Sequence, residues 1–165
     1  MLPEDRNVSE PVSRALLWLF VINLGVALGA GLYDSRIVVP RWIGAAQHWN
    51  AEAARQDDTG RRFWGLVTTV PLTLLTLANL IAAWRAPAPV RGWWLATAVA
   101  ALADRVITFA YFIPTMVRLM RAPDSPSSAA VATQWARLNY VRLAILVAAL
   151  LTALRAFSLS YQRPV

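Results

Sequence analysis

Cysteine and lysine are both absent from this chain of 165 residues, and histidine occurs only once. Without cysteine there can be no disulfide, no thiolate metal site and no cysteine nucleophile. A single histidine does not supply the ligands that a transition metal or a haem needs from a protein. We therefore expect a protein that works without a metal ion or another cofactor.

Charged residues are also scarce, at 15% of the sequence, whereas 58% of the residues are hydrophobic. A soluble domain of this length could not bury so much apolar surface, so a lipid bilayer is the expected solvent. All 16 basic residues are arginines, which give a net charge of +7. Because they are scattered between apolar runs, they are typical of membrane-span flanks and argue against nucleic-acid binding.

Four apolar stretches are long enough to cross a membrane, for which ~20 residues suffice. They cover residues 15–33, 63–84, 92–117 and 138–157. They predict an all-α fold, a four-transmembrane-helix up-down bundle formed by residues 1–165 as one integral membrane domain. Such a chain would be a multi-pass protein of the cell's inner or plasma membrane. The arginines are shared too evenly between the two sides for the positive-inside rule to fix the orientation.

The first loop, between the first two spans, has its own helical pattern. Trp42, Ala46, Trp49 and Ala53 recur at helical spacing after Pro40, a residue that is common at helix starts. This pattern predicts a short helix that lies on the membrane interface or caps the bundle.

Two ionisable residues, Asp104 and Arg105, interrupt the third span near its middle. An ionisable side chain at mid-membrane costs at least ~2.5–3.5 kcal/mol on insertion scales, so it needs a partner or a wet cavity. Up-down threading brings many further polar residues into the half of the membrane on the first-loop side. They are Tyr33, Asp34, Arg36, Thr69, Tyr111, Thr115, Asn139 and Arg142. This convergence predicts a cavity open toward the first loop, with Asp104 and Arg105 as its floor.

A purely structural interpretation of these groups is open as well. Asp104 paired with Arg105 or Arg142 would fix the register of the helices. Asn139 would then only bond a neighbouring helix, as amides in membrane helices often do. His48, in the loop above the cavity, would be an ordinary surface or capping residue.

Three motifs together carry a resemblance to a known family. The last helix opens with W-x3-N-x2-R, formed by Trp135, Asn139 and Arg142. Ile113 and Pro114 stand near the end of the third helix, and the first helix runs through glycines into GLYDSRIVVPRW at residues 31–42. In these motifs the chain resembles the anthrone oxygenase-like family of small four-helix membrane proteins, also called the domain-of-unknown-function 1772 family.

The chain departs from the family pattern at two places. Thr115 and Met116 follow the proline, where the family often has asparagine, and Leu138 stands where an aromatic residue is frequent. Some relatives are implicated in oxidising anthrones to anthraquinones without a metal or a flavin. The resemblance therefore implies a membrane enzyme acting on a hydrophobic aromatic or polycyclic, polyketide-like substrate.

An oxygenase without a cofactor needs a base, donors for an oxyanion and a dry apolar cavity. Asp104 or His48 would be the base, Arg142 and Asn139 would hold the phenolate or enolate, and Tyr111 would donate a hydrogen bond. Trp135 would stack on an aromatic ring. The remaining residues expected to contact the substrate are Tyr33, Asp34, Arg36, Arg105, Thr108 and Thr115.

Other functions use the same pocket. Asp104 acting as an acid would make the protein an isomerase or cyclase of a lipid-like substrate. The protein would have no chemistry at all if the polar set only locks the bundle, and it would then be a membrane binding or accessory protein. The pattern Gly25-x-x-x-Gly29 permits close approach of a second helix, so a homodimer is possible.

Overall fold

The computed structural model describes residues 9–44 and 48–161, which form an all-α bundle. Within these residues there are five helices, some of which change their winding along the way. They are α1 (Ser9–Tyr33, continued by Asp34–Val38 and Val39–Trp42), α2 (Ala51–Asp57), α3 (Gly60–Thr69 and Val70–Arg85), α4 (Val90–Ile107, Thr108–Phe112 and Ile113–Leu119) and α5 (Pro126–Tyr161). All except α2 are long and apolar enough to cross a membrane. The predicted fold class is confirmed, and the chain is a multi-pass membrane protein.

The helices extend beyond the predicted spans, most of all on the first-loop side. α1 continues to Trp42 and α5 begins at Pro126, because hydropathy detects only the apolar centre of a helix and misses its polar ends. The short loop helix begins later than predicted. Pro40 lies inside α1, and α2 starts at Ala51 after Asn50, whose side chain caps it by accepting a 2.9 Å hydrogen bond from Ala53 N. Ala46 falls outside the described residues.

Three segments of the long helices are wound as π-helix, and each ends two residues before a proline. The pairs are Asp34–Val38 with Pro40, Gly60–Thr69 with Pro71, and Thr108–Phe112 with Pro114. Proline has no N–H for the carbonyl four residues earlier and its ring crowds that carbonyl, so the preceding turns widen. At Pro71, the Val67 carbonyl that loses this donor receives the Asn23 side-chain amide instead, at 3.2 Å. α5, with its proline in the first turn, stays α-helical throughout.

The half of the bundle away from the first loop is packed and joined by buried hydrogen bonds. The Asn79 side chain accepts from Trp94 Nε1 at 2.9 Å and donates to Leu16 O at 3.3 Å. Thr97 Oγ1 donates to Thr152 Oγ1 at 2.9 Å. These bonds tie α1, α3, α4 and α5 together, so any large cavity has to lie in the opposite half.

Gly31 allows α1 to approach α5 closely. A Cβ at this position would lie 2.6 Å from Leu143 Cδ2, whereas a Cβ at Gly25 or Gly29 would meet nothing within 4 Å. Relative to Gly29→Ala, which gains the same helix propensity, we expect Gly31→Ala to lower the free energy of unfolding by ~1 kcal/mol, at the low end of overpacking costs, because the methyl group displaces the end of the Leu143 side chain. Thermal unfolding in detergent, followed by far-UV circular dichroism, measures the effect.

Gly29→Ala is the matched control, since it makes the same change on the same helix in open space. It should leave the unfolding midpoint unchanged or raise it, because alanine favours helix over glycine. Shortening the opposing side chain in Gly31→Ala/Leu143→Val should restore part of the loss. Equal midpoints for the two alanine variants would contradict the close-approach role of Gly31.

Candidate functional site

A cavity of about 620 Å³ lies in the half of the bundle on the first-loop side. This volume is within the ~300–1,000 Å³ range of small-molecule pockets. All five helices contribute to its mostly apolar wall, including residues of all three π-wound segments. Six residues predicted for the site line this cavity: Asp34, Arg105, Thr108, Trp135, Asn139 and Arg142.

Two arginines form the charged floor of the cavity, and one aspartate behind them holds both. Arg105 Nε donates to Asp104 Oδ2 at 2.9 Å, and Arg105 Nη2 donates to the same oxygen. Arg142 Nε lies 3.4 Å from Asp104 Oδ1. Asp104 is fully buried and does not line the cavity, whereas both arginines do. The adjacent residues Asp104 and Arg105 therefore pair with each other, and the pair presents cations to the cavity.

The floor has hydrogen-bonding capacity that the protein leaves unused. Arg105 Nη1 and Asn139 Oδ1 are buried without a hydrogen-bond partner, and Arg142 Nε makes only its ionic contact. Orphaned buried polar atoms are rare in folded proteins. The Arg142 guanidinium is held in place by two rings, with its carbon 5.1 Å from the Phe112 centroid and 5.8 Å from the Trp64 centroid. Both arginines line the cavity, so their guanidinium groups can attract an oxyanion of a ligand there.

The α5 motif is positioned by hydrogen bonds to neighbouring helices. Asn139 Nδ2 donates to Ser35 Oγ at 2.6 Å, and Trp135 Nε1 donates to Phe112 O at 3.1 Å. The Trp135 ring also packs edge-on against the Phe112 ring, with the centroids 5.6 Å apart. Trp135, Asn139 and Arg142 follow the i, i+4, i+7 spacing of one helical face. That face forms one wall of the cavity.

Asp34 is a buried carboxylate in the cavity wall, on the side of Arg142. It is 6% exposed, it lines the cavity, and it interacts with the Trp64 side chain and with the positive charge of Arg142. The sequence assigned Asp34 to substrate binding and Asp104 to catalysis. The geometry favours the opposite division, since Asp104 is separated from the cavity by its arginine partners.

Besides Asp104, five other predicted site residues lie away from the cavity wall. Tyr33 is 60% exposed and Arg36 is also exposed on the outer surface of α1. Tyr111 packs beside Phe112, and buried Thr115 accepts a 3.3 Å hydrogen bond from Arg118. His48 is exposed in the first loop, where its ring nitrogen lies 3.2 Å from Asp124 Oδ2. The geometry gives His48 a role in fastening the loop and does not favour it as a base.

Trp64, Phe112 and Ser35 belong to the site but were not predicted for it. Trp64 stands near the start of a span, where tryptophan is commonly an interface anchor. In the structure it is half-buried and faces the cavity from a π-wound segment. The only sequence signal that Trp64 turns toward the cavity is Pro71, which widens the turns that carry Trp64.

The cavity combines a reachable carboxylate, two cations and aromatic walls, so it can accept a proton, bind an oxyanion and stack on a planar ring. Among the described residues no group of three or more histidine, cysteine, aspartate or glutamate side chains is arranged to hold a metal ion. No family model, curated protein or solved structure matches this chain.

Proposed function

We propose that the protein is a membrane-embedded enzyme that removes a proton from a hydrophobic aromatic or polycyclic ketone and stabilises the resulting enolate. The observation that carries this proposal is the placement of Asp34 and two arginines in one apolar cavity. Such substrates have acidic C–H groups, since the carbanion is delocalised onto the carbonyl oxygen. A carboxylate can take the proton and the arginines can bind the oxygen.

In this mechanism Asp34 is the general base and accepts the proton from the substrate carbon. The negative charge moves to the substrate oxygen, where Arg142 and Arg105 stabilise it with N–H groups that the fold has already oriented. The apolar wall keeps water out and so strengthens these charge interactions. Trp64 and Trp135, which line the same cavity, stack on the planar body of the substrate.

The resemblance to anthrone oxygenase-like proteins favours oxidation of the enolate by O₂. With an anthrone, the methylene carbon loses both hydrogens and gains one oxygen atom as a new carbonyl. The second oxygen atom leaves as water with those two hydrogens. The electron-rich enolate is itself the reductant in this balance, and O₂ is the oxidant.

A second outcome for the same enolate is favoured by the position of Asp34 inside the cavity. The proton that Asp34 takes stays beside the substrate, so it can be returned to another carbon and make the protein an isomerase. Binding without any proton transfer would make it an accessory protein. We place it in the inner or plasma membrane, and a homodimer through the open face of Gly25 and Gly29 stays a prediction.

The test uses the full chain in lipid nanodiscs with anthrone in air-saturated buffer. We expect O₂ consumption and anthraquinone formation to rise together, in equal amounts, above the rates in empty nanodiscs, where anthrone oxidises unaided. A parallel incubation in D₂O without O₂ measures exchange of the acidic C–H. C–H exchange without oxidation of anthrone would support an isomerase. Saturable anthrone binding with neither exchange nor oxidation would mean that the protein only binds its ligand.

A further inference from the structure

The helices α3 and α4 are joined at one end and separate at the other. Near their short connection, Trp94 donates to Asn79. At the first-loop end, Gly60–Thr69 of α3 and Ile113–Leu119 of α4 both line the cavity. Across the described part of the chain no side-chain hydrogen bond joins these two segments. We call the opening between them the side slot.

The other junctions around the cavity are closed by specific contacts. Asn139 of α5 bonds Ser35 of α1, and Trp135 of α5 bonds the Phe112 carbonyl of α4. Asn23 of α1 bonds a carbonyl of α3. These bonds join α5 to α1, α5 to α4 and α1 to α3, whereas in the described residues no such bond joins α3 to α4 beside the cavity.

The first loop covers the end of the cavity that faces water beside α4. Trp42 Nε1 donates to Asp57 at 2.7 Å, Trp49 Nε1 donates to Leu119 O at 2.7 Å, and Arg55 Nη1 donates to Met120 O at 2.8 Å. Both indole rings are almost completely buried. Beside α3 the cavity reaches Asp58 and the exposed side chain of Arg61, so the loop covers only the α4 side of this end.

The rim of the slot faces both the cavity and the bilayer. Ile113 and Val117 line the cavity and are also 40% and 44% exposed. On the α3 side the cavity is lined by Gly60 and Gly65, with Arg61 and Trp64 between them. From Ile113 to Met120 a helix rises ~10 Å, which sets the length of the slot along α4. Both rims adjoin π-wound turns, which proline has widened.

We propose that the side slot is the substrate entrance and that the substrate is a ring compound dissolved in the membrane leaflet on the first-loop side. It enters sideways between α3 and α4 until its oxygen meets Arg105 and Arg142. This inference deepens the proposed function by restricting the substrate to lipid-soluble molecules. It excludes sugars, nucleotides and other solutes that approach from water.

The absence of native cysteine allows a single reporter thiol to test this route. Thr68 lines the cavity, is 2% exposed, and bonds the Trp64 carbonyl of its own helix, so Thr68→Cys is a small change. In nanodiscs, lipid-dissolved N-(1-pyrenyl)maleimide should label this thiol. A charged, membrane-impermeant methanethiosulfonate should react with it at least ~10-fold more slowly, since thiol reactivity follows access.

Filling the slot should stop the lipid-borne reagent. Val117→Trp on the rim should slow labelling of Thr68→Cys by ~10-fold or more, because thiol reactivity follows access. Val106→Trp is the control, since Val106 lies on the same helix, is 59% exposed and does not line the cavity. It should leave the labelling rate unchanged.

Three results would overturn the side entrance. They are faster labelling by the charged reagent, no effect of Val117→Trp, and no labelling by either reagent until the protein is unfolded in detergent. Labelling needs no turnover, so it separates this inference from the proposed function. If the maleimide labels Thr68→Cys through the slot but the protein does not oxidise anthrone, the side entrance is supported and the proposed enzymatic function is rejected.

Discussion

Replacing Asp104 with asparagine is expected to lower the free energy of unfolding by ~3–5 kcal/mol, the cost of leaving a buried charge without its partner. Asp104 is the carboxylate that contacts both Arg105 and Arg142, and these arginines are only 4% and 9% exposed. Asparagine keeps the shape but removes the negative charge. Thermal unfolding and titration with sodium dodecyl sulfate, both followed by circular dichroism, measure the change.

Two variants make this result specific. Glu52→Gln removes a carboxylate from exposed α2 and should change stability by less than ~0.5 kcal/mol. Asp104→Asn/Arg105→Gln removes one cation with the anion, so it should recover part of the loss. If Asp104→Asn unfolds like the native chain and yet loses activity, Asp104 is a catalytic base and not a structural counter-ion.

The all-α fold could be predicted because membrane helices leave a strong signal in hydropathy alone. Four mostly apolar stretches, at a spacing that allows short loops, leave an up-down bundle as the simple arrangement. The winding of the helices could not be predicted in the same way. Pro40, Pro71 and Pro114 were visible in the sequence, but only the structure shows that each sits after a widened turn.

The candidate site could be predicted only in part, for a related reason. Periodicity places Trp135, Asn139 and Arg142 on one face, and the structure brings all three to the cavity. Periodicity does not say which of the two buried aspartates, Asp34 or Asp104, faces the cavity. A π-helical turn changes the rotation per residue, so a regular helical wheel does not apply near it. Asp34 begins such a turn, whereas Asp104 lies in regular α-helix just before one.

Proline, cavity and slot are thus connected by one physical cause. Proline removes one backbone N–H donor, and the preceding turns widen from α-helix to π-helix. The widened turns at Gly60–Thr69 and Thr108–Phe112 contribute to the cavity wall around Arg142. α5, whose only proline is in its first turn, stays α-helical throughout, and its W-x3-N-x2-R face forms one regular wall of the cavity. The three π-wound segments therefore help to shape the pocket, while the regular helix α5 carries Arg142.

Asp34→Asn is expected to reduce the kcat for anthrone oxidation by ~10²–10⁴-fold, the usual contribution of a general base. C–H exchange in D₂O should fall by the same factor, because both reactions begin with the same proton transfer. The amide retains an acceptor for Trp64, and Arg142 retains Asp104, so the unfolding midpoint should move far less than in Asp104→Asn.

Asp58→Asn is the matched control, since Asp58 also lines the cavity but lies at its outer end, ion-paired to Arg61 at 3.2 Å. Its backbone is left-handed, with φ of 43°, a conformation that asparagine also tolerates. This variant should keep the native kcat, because the Asp58 carboxylate that it removes lies at the outer end of the cavity and not beside the arginine floor. Native exchange in Asp34→Asn would mean that another group takes the proton, and the base would then have to be sought at Asp104, behind the arginines.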